Sequence, residues 1–268
     1  TLIQMVNKRL IPVLFLRDGY LVRSENFSIH QILGNPVTQV KRYNSWNVDE
    51  LIYIDISKSE LYSPRRNDLG EGETNAFNIL DLIKVVSKSC FMPLTVGGKI
   101  KTLDDIHSRI NSGADKITIN SAALDDSNFI KSASREFGSQ AIVLSIDVKI
   151  NGDGHYKVFG QHGSRETNWT PENWAQEVEN FGAGEIFLNS VDRDGTAKGY
   201  DIELISRVVN AVNIPVIACG GASGNKDFVE LISNTDVSAL AAGNLFHFKE
   251  LSYPMAKKYL KSQNLNFR

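Results

Sequence analysis

The most constraining feature of this chain is a repeating unit: a short apolar run, a Gly- and Asp-rich loop, then an amphipathic segment, with no hairpin between copies. Its clearest copy spans residues 184–213. Ile186 to Leu188 form the run, the loop carries Asp192, Asp194, Gly195, Thr196 and Gly199, and Ile202, Leu204, Ile205, Val208, Val209 and Val212 recur at helical spacing. A second copy follows at once, from Ile214 through Gly220 and Gly221 to Ile232. Strands joined by helices pair in parallel. In a closed parallel sheet the loops leaving the strand C-termini carry the chemistry, so Asp194, Gly195, Thr196, Gly220 and Gly221 are candidate ligand contacts.

Followed along the chain, the unit predicts eight strands and about eight helices, an α/β (β/α)8 TIM barrel occupying residues 1–268 as one domain. The 268 residues are close to the roughly 250 such a barrel needs. The first strand is Lys8 to Leu16, followed by a long polar loop to Pro36; the second ends at Asp55, the third at Gly97 and Gly98, the fourth at Asn120 and Ser121, and the fifth at Asp147. Residues 57–75 are too polar and too long for an ordinary connection and are predicted to be a functional βα loop. Residues 149–168, with an Asn-Gly pair, are predicted to form a small hairpin over the barrel mouth.

With 42% hydrophobic and 22% charged residues the chain can fill a sizeable core, and a net charge of −2 gives no footprint for a polyanion partner. Cys90 and Cys219 form no CxxC pair and have no matching His spacing, so no metal or cofactor is expected. The run Ile11–Leu16 is too short to span a membrane, and no cleavable signal pattern precedes it, which makes a cytoplasmic location the expectation.

An internal echo supports a barrel of two like halves: residues 92–124 resemble residues 214–246. Two like halves should carry two like anion sites. Gly97 and Gly98 with Asn120 form one, and Gly220 and Gly221 with Ala242 and Gly243 the other, each with unpaired N–H groups expected at the following helix N-terminus. The alternative is that each Gly pair only makes a tight strand-to-helix turn.

The residues Asn26 and Phe27, Gly34–Val37, Asp49–Ser57, Thr95–Gly98, Gly113–Leu124, Phe137–Asp147, Gly182–Asp201, Ala218–Ser223 and Phe246–Phe248 resemble a known family over nearly the whole chain. It is HisF, the cyclase subunit of imidazole glycerol phosphate synthase. The resemblance implies a barrel that takes ammonia from a HisH-like glutaminase docked at one face and uses it on a bis-phosphorylated substrate at the other. It also implies two catalytic carboxylates, ending the first and fifth strands. Asp147 matches the second. Phe15 stands at the first, and a phenyl ring cannot transfer a proton, a loss typically worth about 10²–10⁴-fold. Lys99 replaces the third glycine of the first phosphate loop.

The resemblance further implies an ammonia gate made by Arg9, Glu50, Lys116 and Glu185, and a glutaminase contact at Asp115. Charges facing one another at the strand N-terminal ends must pair, so a salt-bridged plug that only closes the barrel is the other explanation. An apolar residue at the first carboxylate position is similar to a paralogous, WbuZ-type branch that accompanies glutaminase-like and amidotransferase proteins of surface-polysaccharide synthesis. The expectation is therefore a HisF-like ammonia-channelling subunit serving amidation of a sugar in lipopolysaccharide or a related glycan, with a separate amidotransferase as a further partner. The alternatives are a true imidazole glycerol phosphate synthase cyclase subunit of histidine biosynthesis and a catalytically silent conduit that activates the glutaminase.

Overall fold

The computed structural model describes residues 7–62, 76–247 and 250–268. In chain order the strands are β1 (Arg9–Arg17), β2 (Tyr20–Glu25), β3 (Ile29–Gly34), β4 (Leu51–Asp55), β5 (Leu94–Gly97), β6 (Lys116–Ile119), β7 (Ile142–Ile150), β8 (Tyr156–Gly160), β9 (Arg165–Glu166), β10 (Glu185–Ser190), β11 (Val216–Cys219) and β12 (Ala239–Ala242). The helices are α1 (Pro36–Ser45), α2 (Ile79–Ser87), α3 (Leu103–Asn111), α4 (Ser121–Asp125), α5 (Asn128–Phe137), α6 (Pro171–Asn180), α7 (Ile202–Val209), α8 (Asn225–Asn234) and α9 (Ser252–Ser262). Strands β1, β4, β5, β6, β7, β10, β11 and β12 pair in parallel, and the β7–β10 pairing closes them into a barrel. This is the (β/α)8 architecture expected from the repeating unit.

Local sequence explains where the helices begin. Asn35 accepts from the Val37 backbone N–H at 2.8 Å with Pro36 in the first turn, and Thr102 and Asp105 form a reciprocal capping box on α3. Thr170 with Pro171 opens α6, and Asp201 opens α7.

Two layers of apolar side chains account for the near-continuous hydrophobic strands. Leu10, Leu14, Tyr53, Val96, Ile117, Leu144, Leu188 and Leu240 face outward into the helix layer. Ile11, Val13, Phe15, Ile52, Val143, Phe187, Ile217, Cys219, Ala239 and Ala241 alternate with them and fill the barrel interior.

The loop expected between Arg17 and Pro36 is instead an antiparallel arm. β1 runs on past the barrel to pair with β2 (Phe15 with Val22, Arg17 with Tyr20), and β2 pairs with β3. Leu21, Val22 and Ser24 of β2 are buried while Ile29 and Ile32 of β3 are exposed, so the arm packs through β2 and leaves β3 at the water. β7 extends likewise into β8 and β9, the hairpin expected near 149–168. Of the loop expected at 57–75, residues 63–75 lie outside the described residues. No described helix is long and apolar enough to cross a membrane.

Candidate functional site: a barrel mouth and a charged floor

Because side chains alternate along a strand, the parity that turns Ile11 and Phe187 inward also turns Arg9 and Glu185 inward at the N-terminal end of the barrel. Arg9 Nη1 lies 2.9 Å from Glu50 Oε1, and its Nη2 pairs with Glu185 Oε1. Lys116 Nζ lies 3.0 Å from Glu185 Oε2 and 3.5 Å from Glu50 Oε2. Two cations and two anions thus form a closed ring, with Arg268 Nη1 3.9 Å from Glu50 at its edge. Burial works against the Arg9 guanidinium, but Glu185 and Glu50 outweigh it and its pKa is raised. Lys116 is the most water-exposed of the four. Asp115 is exposed beside it, with one carboxylate oxygen accepting from the Leu94 N–H at 2.8 Å.

Above this floor the interior has two sides. One is apolar, made by Ile11, Val13, Phe15, Ile217, Ala239 and Ala241. The other is polar, because strand parity places Thr118 and Asn120 above Lys116, and brings Asp147 and Asn189 inward from β7 and β10. Buried atoms Thr118 Oγ1, Asn120 Oδ1 and Asn189 Oδ1 have no hydrogen-bond partner. Three buried acceptors without a partner thus lie between the ion-pair ring and a carboxylate, where a small hydrogen-bond donor would satisfy them.

Asp147 ends that path. Asn120 Nδ2 donates to its Oδ2 at 2.7 Å and Asn189 Nδ2 to its Oδ1 at 3.3 Å. Burial nevertheless prevails, with the nearby Asp194 charge adding to it, and the carboxyl is pushed up from 3.8 to about 6. A carboxylate poised near neutrality is suited to general acid–base work. Asp194 is also buried and raised for the same first reason, against hydrogen bonds from Ser24 Oγ (2.7 Å) and the Phe27 N–H (3.2 Å). Those two bonds dock the β2–β3 arm onto the loop after β10, a contact that sequence reading missed. Ser24 carried no motif and lies 170 residues from Asp194.

Phe15, Asp194, Gly195, Cys219, Gly220, Gly221, Ala242 and Gly243 line one cavity of about 220 Å³ at the strand C-terminal end. Phe15 stands edge-on to Phe27 with ring centroids 5.6 Å apart. No proton-transfer group occupies that position, and Asp18 lies in the β1–β2 turn with its N–H on Ser57 Oγ. Thr196 folds its hydroxyl back onto the Arg193 carbonyl and is not part of the cavity wall. Among the first-half residues, Asn120 holds Asp147, Ser121 Oγ accepts from the Gln161 N–H, and Lys99 reaches Asp55, so these three are engaged by the chain itself. Part of each turn is already satisfied by the chain: Asp105 accepts from the Lys101 and Thr102 N–H groups, and Asp227 from those of Ser223 and Gly224, all at or just before the helix caps. Capping carboxylates three residues into each helix supply the anion the helix end favours. No cluster of three or more metal-binding side chains occurs among the described residues.

A family model described as histidine biosynthesis protein matches residues 9–252. The imidazole glycerol phosphate synthase subunit HisF of Alkaliphilus metalliredigens is 40% identical over 264 residues, covering 98% of this chain and all of that protein. This chain belongs to the HisF family. The HisF subunit of a Hydrogenobaculum species is 42% identical with the same coverage. A putative imidazole glycerol phosphate synthase subunit hisF2 of Pseudomonas aeruginosa is 41% identical over 260 residues, 95% of this chain and 98% of its own length. All three names speak of imidazole glycerol phosphate, and none of a glycan.

Proposed function

We propose that this HisF-family chain is the ammonia-accepting subunit of a glutamine-dependent synthase, receiving ammonia at the Arg9–Glu50–Lys116–Glu185 floor and using it on a phosphorylated substrate at the mouth. The observation that carries the reading is the polar seam of inward side chains on β6, from Lys116 past Thr118 to Asn120, which holds Asp147 at the strand C-terminal end of the barrel. A neutral ammonia molecule needs acceptors along its way and protection from water, and the seam supplies both. The partner is a HisH-like glutaminase docked on the floor, where Asp115 is exposed. The cytoplasm, where glutamine is available, is the proposed compartment.

For the reaction at the mouth, the relatives' names favour ring closure to imidazole glycerol phosphate. Asp147 is then the acid–base group. The glycan-amidation reading is favoured by one observation, Phe15 in the cavity wall where a second acid–base carboxylate is required. Ammonium-dependent imidazole formation decides between them. If ring closure is the native reaction, the wild-type chain forms imidazole and Phe15→Asp changes the rate upward by about 10²–10⁴-fold. Absence of imidazole from both proteins sinks the ring-closure reading, and a rate indifferent to position 15 sinks the role given to Phe15.

A further inference from the structure

The two halves of the barrel mouth follow one backbone path but have different contents. Gly98 and Lys99 have φ of +100° and +56°, and Gly220 and Gly221 have φ of +102° and +94°. Three residues later come the helix caps, with Asp105 and Asp227 holding the same pair of N–H groups. Asn120 and Gly243, one residue past β6 and β12, also share a backbone conformation (φ −130°, ψ −89° against φ −96°, ψ −87°). Lys99 is thus the counterpart of Gly221, and Asn120 that of Gly243.

Those two exchanges decide which cradle is open. On the second side, glycines at 221 and 243 leave the 220 Å³ cavity lined by backbone. On the first, the Lys99 side chain lies across the turn with Nζ 3.4 Å from Asp55 Oδ2 and hydrogen-bonded to the Ser59 carbonyl. Asp55 is 1% exposed and also accepts from the Ser57 N–H (2.9 Å) and the Tyr62 hydroxyl (3.2 Å). Lys99 makes the direct ion pair with this buried charge, and the Arg109 guanidinium also feels it. An anion that captured Lys99 would take that direct pair from Asp55 and lie against its negative charge. Asn120 is likewise committed to Asp147.

We propose that this mouth accepts one phosphate, in the Gly220–Gly221 cradle, and that the Lys99–Asp55 pair closes the matching cradle to a second. The substrate class is a monophosphate whose other end carries hydroxyl or amine donors, because that end meets Asp147 and the unpaired Asn120 and Asn189 oxygens. The inference deepens the phosphorylated-substrate reading above and rests on it, and it stands against the ring-closure reading, whose substrate carries two phosphates.

Calorimetric titration with inorganic phosphate counts the sites in four proteins. The wild type is expected to bind one phosphate per chain, and Ala222→Glu, which puts a charge into the open cradle's wall, to bind none. Asp55→Asn releases Lys99 and is expected to bind two; the double variant Asp55→Asn with Lys99→Gly, whose glycine suits the positive φ and which leaves neither charge, tests the same cradle by emptying it. Two sites in the wild type overturn the one-phosphate proposal and leave the phosphorylated-substrate reading standing. One site in the wild type with no second site in either Asp55→Asn or the double variant overturns the role of the pair. No saturable binding by the wild type overturns both this proposal and the reading beneath it.

Discussion

Asp147→Asn is expected to abolish chemistry at the barrel mouth while making the protein more stable at neutral pH. The activity loss should be about 10²–10⁴-fold, the usual contribution of one positioned acid–base group, and larger if no water replaces it. The stability gain follows from the raised carboxyl. A group whose folded pKa lies above its unfolded value favours the folded state at low pH and loses that contribution as pH rises through the folded pKa. For Asp147 the window runs from 3.8 to about 6. Above it the charged, buried carboxylate works against folding by up to about 3 kcal/mol, at roughly 1.4 kcal/mol per pKa unit. Asn removes that opposition but must share amide donors with Asn120 and Asn189, so the net gain is smaller. Melting curves at pH 4.5 and pH 8 check the sign: the stabilisation should be present at pH 8 and largely gone at pH 4.5. Wild-type activity should fall on the acid side of pH 6 if the ionised form acts as base.

The second large effect belongs to the floor. Arg9 is the only member that bonds both Glu50 and Glu185 at close range from a nearly buried position. Arg9→Met leaves two buried carboxylates facing Lys116, with only the exposed Arg268 at 3.9 Å from Glu50 besides, and one-sided removal from a buried ionic cluster costs about 3–5 kcal/mol. Lys116→Met should cost less, because Lys116 is more exposed and its bond to Glu50 is long. It should instead separate the two explanations of the ring. With a conduit, the folded variant docks its glutaminase but loses product made from glutamine, while activity with added ammonium changes differently. With a plug, coupling is kept and only the melting temperature moves. Full glutamine-dependent coupling in Lys116→Met would falsify the gating role.

Much of this architecture is readable because its causes are local. The period of two along each strand placed the two apolar layers and the inward charges, and the 3.6-residue period with Asn35, Thr102, Thr170 and Asp201 placed the helix starts. The inward line of Arg9, Glu50, Lys116 and Glu185, and the phenyl ring at position 15, follow from the order of residues once eight parallel strands are recognised.

What closure decided is the pairing of residues that are distant in sequence. The arm made by β2 and β3 looks like a polar loop because only β2 is largely buried, and its anchor joins Ser24 to Asp194 across the mouth. The glycines before the helices of residues 103–111 and 225–234 point to open turns, and Asp105 and Asp227 take the N–H groups just ahead of each helix through contacts only three or four residues long, a capping signal local enough to be visible in the sequence. Lys99 in a phosphate turn reads in the sequence either as an added cation or as a side chain that crowds the site. Only the folded barrel, by bringing the buried Asp55 within 3.4 Å, turns that cation from a ligand for substrate into the partner of the protein's own charge, because a charge removed from water takes the nearest opposite charge the fold offers.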